Sequence, residues 1–456
     1  MRILHLSWEY PPVIYGGLGR HVHALAEAQA AQGHDVVVLT QATDADQAGV
    51  GHQDVHGVRV VRVPRDAPYV PLDVDHLIAW ILGFNSALSR ACLTLLENWR
   101  PEVVHGHDWL VAHAMALASQ GARAPAVLTI HATEAGRHQG WMPSELSRTI
   151  HSVEWWASHQ AAAVIACSQH MKSEIAALFE VPAEHIAVIP NGVERSAWRV
   201  RPKDRGRVRE QYQGALIVYT GRLEWEKGVH TLIDAMPAIR RSRRDAHLVI
   251  AGRGSAREDL IAQARARRLG RAVTFEGWLP EADLHALVAA ADVAVVPSIY
   301  EPFGIVALEA AAAGTPVVAA DSGGLAEVVD AGHTGWLFEP ASPAALAAGV
   351  VAALSDPAEA QRRARAGLRK VARAYAWPRI ARLTEDVYQE AIDGRRPVDP
   401  SLATAAYGIG PALHANLLRS PASEVSVGGA VQSKPMDQSK PMDQSKPMDT
   451  SREPIE

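Results

Sequence analysis

Arg222 and Lys227 stand in one short stretch, Gly221-Arg222-Leu223-Glu224-Trp225-Glu226-Lys227-Gly228, directly after the apolar run Leu216 to Thr220. A guanidinium that grips two oxygens at once, beside an ammonium acting as a point charge, suits a diphosphate. If that diphosphate is a leaving group, negative charge grows on its bridging oxygen, and cations placed there favour the transition state over the ground state. The same residues also fit a solvated loop in which Glu224 and Glu226 pair the bases. Glu301 ends a second apolar run, and Glu309 follows on the next helical stretch. Carboxylates at those places suit sugar hydroxyls, which need acceptors in fixed directions. Two acids also fit glycoside hydrolysis, in which a pair flanks the bond, and Glu309 alone fits a residue that holds its helix. The phosphate-suited groups favour transfer from an activated donor.

Gly16, Gly17 and Gly19 precede a helical stretch, and Gly304 after Phe303 opens Ile305 to Ala313. Missing side chains at such places let a phosphate approach exposed amides at the positive end of a helix. The order Gly-Gly-Leu-Gly is not the dinucleotide fingerprint, and a plain turn glycine explains it as well. His131 ends a strand and is suited to a sugar hydroxyl, a proton transfer or a loop cap. In His105-Gly106-His107-Asp108, His105 is expected to face the sheet interior and His107 to face outward, so no metal centre is expected. His21 and His23 point in different directions on a helix. Asp44-Ala45-Asp46 and Asp73-Val74-Asp75 match a metal motif of another transferase class but sit away from strand ends. Among twelve tryptophans, Trp8, Trp109 and Trp141 fall in loops where they suit stacking on sugar faces, though packing in the core or loop is the commoner role of any one tryptophan.

Positioning these groups requires strands that deliver them to one edge. Short β-branched runs alternate with Ala/Leu-rich stretches throughout, which predicts βαβ units around parallel sheets. Strands are expected at Ile3 to Ser7, Asp35 to Leu39, Val58 to Val63, Val103 to His105, Ala126 to Ile130, Ala163 to Ala166 and Ile186 to Ile189. A second series is expected at Leu216 to Thr220, His247 to Ile250, Val273 to Glu276, Val293 to Pro297 and Pro316 to Ala319. The predicted architecture is α/β, with Rossmann-like domains over 1–193 and 194–375 facing a cleft. A restarted helix over 376–392, carrying Pro378, returns to the first domain. Ligands in such sheets bind beyond the carboxyl ends of the strands, and that is where the residues above fall.

The chain has 456 residues, 48% hydrophobic and 21% charged, with a net charge of −5. That length supports two cores, and the charge gives no bulk attraction to nucleic acid. Two cysteines, Cys92 and Cys167, exclude a disulfide framework and suit a reducing compartment. The N-terminal apolar run is too short for a signal peptide, so a cytoplasmic protein is expected, with contact at a membrane surface left open. From about residue 393 the texture turns polar, with Ser-Lys-Pro-Met-Asp starting at Ser433, Ser439 and Ser445. A disordered tail is expected there.

The stretch Gly221 to Gly228, followed by Glu301-Pro302-Phe303-Gly304-Ile305-Val306-Ala307-Leu308-Glu309, resembles the large retaining glycosyltransferase family four, whose fold is GT-B. Ala313-Gly314-Thr315-Pro316-Val317-Val318 and Gly323-Gly324 fit the same pattern. Trp8-Glu9-Tyr10-Pro11-Pro12, His107-Asp108-Trp109 and His131 resemble its glycogen-synthase-like members. More narrowly, His131 to His138 is similar to the mycobacterial α-1,4-glucosyltransferases of methylglucose lipopolysaccharide synthesis. The resemblance implies a sugar-nucleotide donor, UDP-glucose or ADP-glucose, with no prosthetic group and no required metal. The implied acceptor is an α-glucan or a methylglucose-containing oligosaccharide. It implies Arg222 and Lys227 on the donor diphosphate, Glu301 on hydroxyls of the donor sugar, and the amides around Phe303, Gly304 and Ile305 on sugar and phosphate. Glu309 is implied at the ribose, His131 near the reacting carbon, and Gly16 and Gly17 near the phosphates. Acceptor-side candidates are Glu9, Tyr15, Asp108, Trp109, Glu134 and Trp141. The chain has Tyr15 where ordinary bacterial glycogen synthases carry a basic residue, and the long tail has no counterpart. The other readings are a family-four transferase that uses another sugar or a lipid or small-molecule acceptor, a non-catalytic sugar-nucleotide binder, and a glycoside phosphorylase, which shares the fold but whose cofactor lysine has no match here.

Overall fold

A computed structural model gives the structure of residues 1–43, 51–66 and 69–394. The repeat-bearing segment from 395 onward and Asp44-Ala45-Asp46 lie outside the described residues. Strands β1 (Arg2–Leu6), β2 (Asp35–Gln41), β3 (Gly51–Val55), β4 (Val58–Val63), β5 (Val103–His107), β6 (Ala126–Ile130), β7 (Ala163–Ala166) and β8 (Ile186–Val188) form one sheet. Its order is β3-β4-β2-β1-β5-β6-β7-β8, and only β3 runs antiparallel to its neighbour. Strands β9 (Leu216–Thr220), β10 (His247–Ala251), β11 (Val273–Gly277), β12 (Val293–Val296), β13 (Val317–Ala320) and β14 (Trp336–Phe338) form a second, parallel sheet. Its order is β11-β10-β9-β12-β13-β14.

The central strands read as continuous apolar runs because helices cover both faces of a parallel sheet. Val36 to Leu39 and Leu216 to Tyr219 are accordingly buried throughout. The strand order reverses beside β1 in the first sheet and beside β9 in the second. Crevices open at such switch points, so the loops after β1, β5, β9 and β12 border the cleft. Two strands carried no sequence signal. Gly51–Val55 is largely exposed and takes its conformation from pairing with β4, and Trp336–Phe338 is too short for a period.

One orientation expected from the sequence is corrected. Residues two apart on a strand share a face, and His105 and His107 are both buried with ring centroids 4.2 Å apart. Leu77–Asn98 is the one described helix long and apolar enough, by length and composition, to cross a membrane. Its Trp80, Ile81, Phe84, Leu88, Cys92 and Leu96 are nevertheless buried within the protein.

The two halves are joined at several places. Ser168 caps the helix Gln169–Phe179 by accepting from the Met171 amide at 3.1 Å, and its hydroxyl donates to the Pro302 carbonyl at 2.6 Å. The amides of Gln169 and His170 donate to the Glu327 carboxylate of the second half at 2.9 and 3.0 Å. A negative group at the positive end of a helix is favourable. The chain passes between the sheets before β9 and again at Tyr375, where the Val193 amide donates to the Tyr375 carbonyl at 2.9 Å. Pro378 sits in the first turn of Trp377–Ile392, where a missing amide costs nothing. That helix packs on the first-half helix Gly17–Ala31.

Gly192 is the close-approach point under this strap, since a Cβ there would lie 2.6 Å from the Trp377 ring. Gly192→Ala is therefore expected to lower stability by about 1–3 kcal/mol through overpacking. Chemical denaturation of the variant and the parent checks this, and unchanged midpoints would show that Trp377 yields freely.

Candidate functional site

After β9, the Tyr219 hydroxyl donates to the Arg222 carbonyl at 2.6 Å, which shapes the loop that carries both bases. The Arg222 guanidinium is about half exposed and pairs with Glu226 at 3.3 Å. Lys227 is more enclosed, and its Nζ lies 3.0 Å from Glu301 Oε2. The Ser298 hydroxyl donates to that same oxygen at 3.0 Å. The loops after β9 and β12 thus meet at one cation and one carboxylate, with Glu301 Oε1 left to engage a ligand.

Gly304, at φ 105°, is the N-cap of Ile305–Ala313. That angle favours glycine, and no side chain caps the first turn. Gly16 in the first half stands at the N-cap of Gly17–Ala31 with no side chain of its own, and the Glu9 carboxylate accepts from the Gly19 amide of the first turn. The two helix starts meet, because a Cβ on Gly17 would lie 2.7 Å from Ile305 Cδ1. Two positive helix ends therefore converge across the cleft, a natural anion site. Phe303 is buried in the core behind them. Glu309 pairs with Arg20 of the first half at 3.0 Å. Burial raises the Glu309 carboxyl pKa, and Arg20 opposes that shift.

On the first-half side, several acids implied at the acceptor are engaged by the backbone. Glu9 is buried and its Oε2 accepts from the amides of Tyr15 at 2.9 Å, Gly16 at 3.0 Å and Gly19 at 3.3 Å. It organises the glycine loop. Burial raises its pKa and those three amides counter the shift. Asp108, at φ 60°, accepts from the His131 amide at 2.7 Å. Burial pushes its carboxyl up to about 6. Glu134 sits in a short helical turn, 3.2 Å from His138, and its amide donates to the buried Glu154 carboxylate at 2.9 Å. Trp109 is buried in the core and presents no face for stacking. Tyr15 and Trp141 are exposed, at 54% and 71%, and Tyr15 stacks on Trp8 with ring centroids 4.9 Å apart. Asp73 of the second Asp-x-Asp match accepts from the His76 amide at 2.9 Å and fixes a helix start.

His131 belongs to a group of five buried or half-buried histidines with His5, His21, His105 and His107. Burial lowers every one of their pKa values, to about 4 for His5, to about 3 for His131 and well below the usual range for the others. They are neutral at pH 7. One ring nitrogen each of His21, His107 and His131 lie within 4.8 Å of one another. His107 Nδ1 and His131 Nε2 lie 3.3 Å apart, within hydrogen-bonding reach. His21 Nδ1 meets Asn191 Oδ1 at 2.6 Å. Arg20, Gln29, Asn191 and Tyr388 were not singled out from the sequence as site residues. The available signal was His21 and Gln29 on the same stripe as Leu18, Val22 and Leu25, where polar groups on an apolar helix face mark a buried network.

Asp108→Ala leaves the buried His131 amide unpaired and is expected to cost about 1–3 kcal/mol. Asp108→Asn keeps an acceptor. With a raised folded pKa, wild-type Asp108 favours folding most at low pH, and that share is lost as pH rises from the ordinary carboxyl range to about 6. The Asn variant should lose this slope, which denaturation at several pH values measures.

Residues 15–197 match the family described as Glycosyltransferase Family 4, and residues 200–370 match Glycosyl transferases group 1. The glycogen synthase of Mycobacterium tuberculosis is 45% identical, with 90% of this chain and 99% of that protein covered. The alpha-maltose-1-phosphate synthase of Mycolicibacterium smegmatis is 31% identical, with 86% and 99% covered. Among solved structures, the sucrose-phosphate synthase of Thermosynechococcus elongatus superposes with a TM-score of 0.75 at 26% identity, covering 86% of this chain and 99% of that one. With these relatives and the paired sheets, the chain belongs to the GT-B glycosyltransferases, as a glycogen-synthase-like hexosyltransferase with a Family 4 first half and a group 1 second half.

Proposed function

We propose that the protein is a cytoplasmic, retaining α-1,4-glucosyltransferase. It moves glucose from UDP-glucose or ADP-glucose to the non-reducing end of an α-glucan, in making a glycogen-like or methylglucose-containing polysaccharide. The observation that carries this reading is the meeting of the two helix starts at Gly17 and Ile305, beside Lys227 and Glu301. That arrangement suits a diphosphate with a sugar attached. The printed names of the mycobacterial relatives support a glucan product.

In this reading the second half, 194–375, holds the donor and the first half, 1–193, holds the acceptor. The helix starts and Arg222 and Lys227 take the diphosphate. Glu301 orients the sugar hydroxyls, and His131 meets the sugar from the opposite wall. Glu309 exchanges Arg20 for the ribose. The acceptor hydroxyl attacks the anomeric carbon on the face from which the diphosphate departs. One carbon–oxygen bond forms, the other breaks, and the hydroxyl proton passes to the departing phosphate oxygen. Lys227 stabilises the charge that grows there, so no metal is required. Tyr15 and Trp141 offer exposed aromatic faces to the glucan.

Purified protein supplied with UDP-glucose or ADP-glucose and maltooligosaccharides should extend the chains by α-1,4-linked glucose in the presence of a chelator. Product mass and linkage analysis read this out. Binding of sugar nucleotide with no transfer to any glucan would identify a binding protein instead. Lys227→Ala should lower kcat about a hundredfold, roughly 3 kcal/mol, with a smaller change in donor affinity by calorimetry. Unchanged turnover in a folded variant would place the site elsewhere.

A further inference from the structure

Behind His131 a row of buried polar groups runs away from the cleft. His131 Nε2 lies 3.3 Å from His107 Nδ1, and His107 Nε2 lies 3.1 Å from His5 Nδ1. His5 Nε2 lies 2.7 Å from Gln29 Oε1, and Gln29 Nε2 donates to the Tyr388 hydroxyl at 3.2 Å. That hydroxyl lies 2.6 Å from His105 Nδ1, and His105 Nε2 lies 2.7 Å from Thr129 Oγ1. His5, Gln29, His105, His107, Thr129 and Tyr388 are all buried.

A neutral imidazole has one donor nitrogen and one acceptor nitrogen, so one fixed end sets every ring in such a row. The Gln29 amide oxygen only accepts, so His5 carries its proton on Nε2. His5 Nδ1 is then bare and accepts from His107 Nε2. His107 Nδ1 is bare in turn and accepts from His131 Nε2. His131 is left with a bare Nδ1, the nitrogen that makes no hydrogen bond among the described residues. Turning the Gln29 amide by half a turn would reverse every donor and acceptor and put the proton on His131 Nδ1. In the orientation the structure shows, Tyr388 receives the amide NH2 group, which leaves its own O–H for the bare Nδ1 of His105.

We propose that Gln29 and Tyr388 are positioning residues of the transfer reaction, which act through His5 and His107 to hold His131 in its Nε2–H tautomer. The bare Nδ1 then accepts a hydrogen bond from a hydroxyl of the donor sugar. The last step rests on the reading of His131 as a donor-sugar contact. The wrong tautomer turns an acceptor into a donor at the place where the sugar presents its own O–H. The neutral state of all the rings, a consequence of burial, is what makes the row carry direction rather than charge.

The test is nitrogen NMR of the full chain with labelled histidine, with the His131 signal identified by its loss in His131→Ala. The wild-type protein should show His131 as the single Nε2–H form. Gln29→Leu removes the fixed end, and Tyr388→Phe removes one oxygen while keeping the ring in place. Both should produce a population with the proton on His131 Nδ1. In both, kcat should fall about tenfold while the donor KM stays within about twofold, a split that a merely structural role would not produce. If Gln29→Leu does not fold, Tyr388→Phe decides alone. An Nδ1–H form in the wild type, or an unaltered His131 tautomer in a folded Tyr388→Phe, would overturn the row. A shifted tautomer with unaltered kcat would instead overturn the contact between His131 and the sugar, and the positioning role with it.

Discussion

The contact between Gly17 and Ile305 is the constraint around which the site is arranged. Each residue is the first of a helix that follows a cleft-bordering strand, β1 in one sheet and β12 in the other. With no side chain on Gly17, the two helix starts approach until the Ile305 side chain fills the gap. The peptide dipoles of both helices then point into a single space, and a cation on the β9 loop adds to their potential. One turn further along, Arg20 and Glu309 pair across the same junction. These groups register the halves against each other.

A second constraint acts inside the first half. Glu9, Asp108 and Glu154 are buried carboxylates, and burying a charge is costly unless hydrogen bonds satisfy it. Each is met by backbone amides, those of Tyr15, Gly16 and Gly19 for Glu9, of His131 for Asp108 and of Glu134 for Glu154. Glu9 thereby fixes the loop after β1 on itself, while Asp108 ties the loop after β5 to the loop after β6 and Glu154 ties the latter to the helix Glu145–Gln160.

The main strands were legible because a parallel sheet writes itself as apolar runs, and each of them begins and ends within two residues of where periodicity placed it. Arg222, Lys227, Glu301 and Gly304 were legible as residue types at strand ends. The roles of Glu9, Asp108 and Trp109 were not, since whether a loop acid meets a backbone amide or a sugar depends on how the loop closes. Arg20 and Glu309 are 289 residues apart, and nothing local marks them as partners. The expected split of His105 and His107 between two faces ignored the twofold period of a strand, the one error that local geometry alone could have prevented.

Tyr388 lies near the end of the described chain, yet its hydroxyl closes the polar network between His105 of the first sheet and Gln29 of the helix Gly17–Ala31. Domains usually fold in the order in which they leave the ribosome. Here the leading half emerges with a notch in its core that only Trp377–Ile392 fills. That notch stays open while the whole second half is translated. The nascent chain thus completes its first domain last, and an interruption of synthesis just before the strap leaves a whole second half beside an unfinished first.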